Sequence, residues 1–191
     1  MGEAPSRIKW EVCVDWDATD WSDDPDFSQD YDQISGDVDV DGITYVGWAR
    51  GKQREEGNAP AGTCEIRLKP GLCQKYSPFT NGVLKGKIRP WLPVRVRSYF
   101  NGEYVTHFTG FISRITIDPH PDVQSVIFYC TDGTDLLARQ EVTQDTASKD
   151  LMSDGAAVER ILDTARWNAN RRSIDKDGGS DLLAYPKCYE Y

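Results

Sequence analysis

The residues best suited to chemistry in this chain are its carboxylates. Eleven Asp fall between Asp15 and Asp41 with no Lys or Arg among them, and a run of one sign repels itself unless it is solvated or holds a cation. Hard cations take several oxygen ligands spaced closely along a turn. Asp15, Asp17, Thr19, Asp23 and Asp26 stand at offsets 1, 3, 5, 9 and 12 of such a loop, with Asp20 at the offset where the turn glycine belongs. Asp15, Asp17, Asp23 and Asp26 are therefore candidate calcium ligands, against the simpler expectation of an acidic loop facing water. A second segment, Asp37 to Gly42, begins the same pattern but has Trp48 where a bidentate Glu is needed. Its Val38 and Val40, with Ile43 beyond, read as a solvated strand edge.

Signatures of catalysis are missing. The chain has no G-x-S-x-G, no H-E-x-x-H, no phosphate-binding loop and no dinucleotide fingerprint. Its two histidines, His107 between Thr106 and Phe108 and His120 between two prolines, have no nucleophile and orienting acid nearby in sequence, so packing or surface roles are expected. A glycosidase pair of carboxylates is defined by separation in space, which many Asp would meet by chance. The expectation is a protein that is not an enzyme, with no catalytic residue. Trp16, Trp21, Trp48, Trp91 and Trp167 could stack on sugars, although Trp spread along strands more often serves a core or an interface. Arg89, Arg95 and Arg97 lie in the basic stretch KGKIRPWLPVRVR. Alternation puts Arg95 and Arg97 on one strand face, suited to an acidic neighbour such as the N-terminal third of a second copy. Five Cys, at 13, 64, 73, 130 and 188, are odd in number with no C-x-x-C, which points to buried reduced thiols. Met1 to Ser6 fits the bare myristoylation string but lacks a second membrane signal.

The elements that must position these groups follow from periodicity. The chain has 191 residues, 28% of them charged, 39% hydrophobic and 11% aromatic, enough for one or two domains with a real core. A net charge of -9 argues against nucleic acid, and no apolar run has the length that crosses a bilayer or directs export. Alternation marks strands from Ile8 to Trp16, in Ile43–Arg50, from Thr63 to Lys69, in Pro93–Phe100 and from Glu103 to Ile117, and in Ser125–Thr131. Asn101-Gly102 reads as a type I′ hairpin turn, Asp118 to Asp122 as a reversal, and the stretch after Gly51 as a loop. Beyond these, Val158, Ile161, Leu162 and Ala165 fall at i, i+3, i+4 and i+7, an amphipathic helix of about four turns capped by Ser153 or Asp154. The expected fold is mainly β, a small barrel or sandwich of six or more strands over residues 1–145, followed by one helix and the start of a further module over 146–191.

Several motifs in order carry a resemblance: WEVCVDWDATDWSDD, then Trp48-Ala49-Arg50-Gly51, GTCEIRLKP, Tyr76-Ser77-Pro78-Phe79, VRVR at Val94–Arg97, Phe108-Thr109-Gly110-Phe111-Ile112 and DGTDLL. The set, from about Trp10 to Trp167, resembles the N-terminal part of the minor tail proteins of long-tailed bacteriophages, tail-tip hub proteins related to the baseplate hub. The resemblance implies a virion tail component made in the host bacterial cytoplasm. It implies a ring, with a trimer expected, that joins the tail tube to the tip beside neighbouring tail proteins, and no cofactor. The rival expectation, from the Asp and Trp content alone, is a carbohydrate-binding β domain, with or without calcium.

Overall fold

The computed structural model describes residues 8–30, 32–34, 43–49, 61–68, 75–118, 125–139, 152–169 and 182–183. The expected acidic edge at 37–42, the loop after Gly51, the reversal at 119–122, His120, Cys73 and Cys188 lie outside them. The chain divides into two units by internal contacts. One comprises Met1–Trp21 with Pro25–Leu136, the other Ser22–Asp24 with Leu137–Tyr191.

The first unit is a curled half-barrel of six antiparallel strands: β1 (Lys9–Val14), β2 (Ile43–Ala49), β3 (Thr63–Leu68), β4 (Pro93–Phe100), β5 (Glu103–Asp118) and β6 (Ser125–Thr131), in the order β1-β4-β5-β6-β3-β2. β4, β5 and β6 form a meander. Its first turn is the hairpin expected from sequence, with φ of 52° at Asn101 and 88° at Gly102, the positive pair that a I′ turn demands. β5 is long enough to serve two partners. Its first half pairs with β4 up to Phe111↔Pro93 and its second half with β6 from Phe111↔Thr131, while irregularities at Val96/Arg97 and Ile112/Arg114 bend it between them.

Alternation decides what the curl encloses. Val12 and Val14, Val94 and Val96, Phe108 and Ile112, Val126 and Phe128, and Ile66 and Leu68 line the inner face and are buried. Burying one such side chain stabilises the fold by roughly 1.5–3 kcal/mol. One end of this core is closed by the chain between β3 and β4, which sends in Tyr76, Leu84, Ile88 and Leu92, together with Trp16 beyond β1. Trp16 stacks on Tyr76 at 5.9 Å between centroids and meets Phe128 edge-on at 6.1 Å. Gly110 of the F-x-G-x-I motif has a packing reason: a Cβ there would press on the Thr131 carbonyl oxygen and the Phe108 ring.

After β6, a short helix not anticipated from the sequence, α1 (Gly133–Ala138), buries Leu136. In the second unit β7 (Met152–Ser153) pairs antiparallel with β8 (Leu182–Leu183). α2 (Asp154–Thr164) is the expected helix at 11 residues, nearer three turns than four. Its C-terminus wraps through Arg166 at φ 55°, with Trp167 N–H donating to the Leu162 carbonyl and Arg166 N–H to that of Asp163, a Schellman ending on a residue other than glycine. Ala165 is buried, whereas Val158 and Ile161 of the same stripe are exposed. No helix among the described residues is long and apolar enough to cross a membrane.

Candidate functional site

Three clusters gather the polar and aromatic groups singled out by the sequence. The first is a charged rung on the outer face. Antiparallel pairing sets Glu11 opposite Arg97 and Cys13 opposite Arg95. Glu11 Oε1 accepts from Arg97 Nε at 2.6 Å and Oε2 from Arg97 Nη2 at 3.0 Å, while Arg95 Nη2 reaches Oε1 at 3.4 Å. The guanidinium of Arg97 stacks 3.7 Å from the Tyr104 ring centre and that of Arg95 4.4 Å from Phe27. Burial disfavours the Glu11 carboxylate, but hydrogen bonds from Arg97 and Cys13 and the charges of both arginines outweigh it and hold its pKa below the ordinary value. Arg95 and Arg97 thus share a face as expected, but the acid that answers them is in their own chain. Two arginines against one glutamate leave one positive charge over, and Arg95 Nε is buried without a hydrogen bond. Glu11 was the functional partner that sequence reasoning missed. Its alternation with Trp10 and Val12 gave the face but not the register.

The second cluster is the acidic loop. Asp15, 3% exposed, accepts from Asp17 N–H and Ala18 N–H at Oδ1 and from Asp26 N–H at Oδ2, at 2.9 to 3.0 Å. Asp17 pairs with Lys87 at 2.5 Å. Asp26 turns an oxygen back to Ser28 N–H. Asp23 belongs to the other unit. Of the candidate ligands, Asp15 and Asp26 therefore accept from backbone N–H groups and Asp17 is paired with a lysine, with Asp15 as the organiser of the turn. Among the described residues no three His, Cys, Asp or Glu are grouped so as to hold a metal ion. Asp32, absent from the sequence-based candidates, is the more unusual acid. It is 1% exposed, accepts from Gln29 N–H at Oδ2, and leaves Oδ1 without a partner. Burial, with Asp15 and Asp17 nearby, pushes its pKa up despite backbone hydrogen bonds from Gln29 and Trp16.

The third cluster is aromatic and joins three strands. Trp10 of β1, Trp48 of β2 and His107 of β5 form a triangle with centroids 5.0 to 5.5 Å apart. His107 Nε2 is 2.7 Å from Ser98 Oγ. β1 and β2 are the two edges of the sheet, so the Trp pair brings side chains from opposite edges into contact. His107 thus packs between the two tryptophans, the role expected of it. Of the other tryptophans named for sugar stacking, Trp16 is in the core; Trp10, which was not named, joins Trp48 at the surface.

No protein-family model matches the chain, and no curated protein matches it.

Proposed function

We propose that the chain is a structural, non-enzymatic component of a phage tail tip or baseplate hub, one subunit of a homo-oligomeric ring that joins the tail tube to the tip. The observation that supports this reading is that the ordered motifs behind the resemblance are the residues on which this half-barrel depends. Tyr76 of the Y-S-P turn fills the core, the VRVR strand carries the rung with Glu11, and Gly110 admits β6 beside β5. The charge left over at Arg95 and Arg97 suits the acidic segment of a neighbouring copy, and charge pairing of this kind sets register and partner choice more than affinity. Heterologous contacts between unlike patches close into rings when the rotation permits, here with three copies. Location in the virion tail and contact with other tail proteins belong to the same proposal.

A second reading is favoured by one observation. Trp10 and Trp48 are each 37% exposed and sit beside a His and a Ser, an arrangement able to stack on a sugar ring. Immunogold labelling of intact phage particles with antibody against this chain separates the two. Label at the tail tip, with a ring mass for the chain in isolated tails, supports the hub. Unlabelled tails together with selective binding to one class of sugar on a glycan array would replace it with the carbohydrate reading.

A further inference from the structure

In the first unit, large apolar side chains that reach solvent gather at two places, one toward each end of the strands. The first is a knob on the chain between β3 and β4. Phe79 is 87% and Val83 69% exposed, the highest values among the described large hydrophobics, while Tyr76 and Leu84 on either side are buried in the core. Hydrogen bonds pin the turn between these anchors. Thr80 N–H donates to the Ser77 carbonyl at 2.9 Å, Phe79 N–H to Ser77 Oγ at 3.2 Å, Gly82 N–H to Thr80 Oγ1 at 3.2 Å and Lys85 N–H to the Gly82 carbonyl at 3.0 Å. An aromatic ring held outward on a pinned turn loses little further freedom on docking, which is the property of an interface anchor.

The second place is a patch on the inner side of the curl. Register sets Ser98 of β4 between Trp10 of β1 and Val105 of β5, and sets Phe100 opposite Glu103. Alternation puts Trp10, Ser98 and Phe100 on the same face as Val12, Val94 and Val96, with Ile8 two residues before Trp10. Trp48 joins them through its contact with Trp10. Ile8, Trp10, Trp48, Phe100 and Val105 are each between 37% and 52% exposed, whereas Val12, Val94 and Val96 of the same face are buried. A cluster of this kind marks a binding surface more than five scattered residues would. Knob and patch stand apart along the strands. β1 runs from Lys9, opposite Tyr99, to Val14, opposite Val94. Trp16 then follows and stacks on Tyr76, so the knob belongs to the end where β1 finishes and the patch to the end where it starts.

We propose that the knob of one copy seats in the patch of the next, with Phe79 and Val83 against Trp10, Phe100 and Val105. Two features select a second copy as the occupant. The surfaces match in form, a pinned protrusion and the inner side of a curl. They also match in charge: from Ile66 to Gly102 the chain has no Asp or Glu, so exposed Lys75 and Lys85 flank the knob, while register sets the carboxylate of Glu103 beside the patch. Unlike surfaces at opposite ends make a heterologous contact, which each copy enters twice and which closes into a ring when the rotation permits. The contact rests on the ring reading for that closure, and it names the two surfaces through which the ring closes.

The test is sedimentation of the full chain over a concentration series, with two variants at exposed positions and circular dichroism to show that each is folded. Phe79→Asp disables the knob and Val105→Asp the patch. The expected result is concentration-dependent association of the wild type and at least tenfold weaker association of either variant alone. An equimolar mixture of the two should regain a dimer and nothing larger, because the intact knob of one variant meets the intact patch of the other. A wild type that stays monomeric, a variant that associates as the wild type does, or a mixture that stays monomeric overturns the contact. A ring that neither variant disturbs also overturns it while leaving the ring reading in place. An open chain of copies that both variants break upholds the contact and removes the closed ring.

Discussion

Glu11 and Arg97 face each other across neighbouring strands and share a two-armed hydrogen bond of 2.6 and 3.0 Å. The pair is partly buried, so removing the carboxylate charge strands two guanidinium groups beside aromatic rings. Glu11→Gln should lower stability by about 2 kcal/mol near neutral pH, measured by urea unfolding. The Glu11 pKa in the fold lies below its ordinary 4.5, so on acidification the unfolded chain takes up the proton first. The contribution is whole above that ordinary value and is lost as pH falls through the folded one. Wild type and variant should therefore converge only in acid, and a constant gap down to about pH 2 would refute the assignment.

Asp32 runs the other way. Burial raises its pKa above the ordinary 3.8, so as pH rises the unfolded chain releases its proton before the folded chain does, and stability falls until the folded carboxyl has ionised. Asp32→Asn removes that cost and should raise the melting temperature at about pH 7 while giving no gain at about pH 3. A loss of stability at both values would mean that the second carboxylate oxygen is needed as an acceptor.

Gly110→Ala should destabilise by about 3 kcal/mol, because the added methyl meets the Thr131 carbonyl of a paired strand and a buried ring, neither free to move. Gly47→Ala is the matched control, since there the obstacle is the exposed Tyr45 ring. Equal costs in thermal unfolding of the two variants would show that strand proximity is not what requires glycine at 110.

The thiols of Cys13, Cys64 and Cys130 are buried and free. Burial pushes Cys64 and Cys13 up to about 12 and Cys130 well above its ordinary value, so little thiolate is present at neutral pH and access is closed. Mass-spectrometric mapping of alkylation should find these three unmodified in the native chain and modified in denaturant. Rapid native labelling of Cys130 would contradict the packing of β3 against β6.

What could be read from the sequence was what local physics controls. Asn101-Gly102 announces its turn through backbone sterics alone, and Val12, Val94, Val96 and Phe128 announce a buried face through alternation. Each is visible within a few residues. The Glu11–Arg97 rung was not, because it joins strands 86 positions apart and depends on a register that either strand alone leaves open. The loop at Asp15 shows a different shortfall. Oxygen spacing matches a cation loop, yet spacing is blind to whether a carboxylate meets an ion or backbone N–H groups, and Asp15 meets three of the latter. α1 was hidden because GTDLLA is too short to display a helical period.

The strand order also sets a timetable for synthesis. β1 leaves the ribosome first but pairs with β4, about 80 residues later, and β3 waits for β6 across about 60 more. At roughly 5–20 residues per second, the first strand spends about 4–16 s with its Val12 and Val14 uncovered before its partner exists. The β4–β5–β6 meander, joined by short connections, forms as soon as it emerges, and the two early strands then dock on its flanks. The half-barrel is therefore completed from its middle outward, with the oldest strands arriving last.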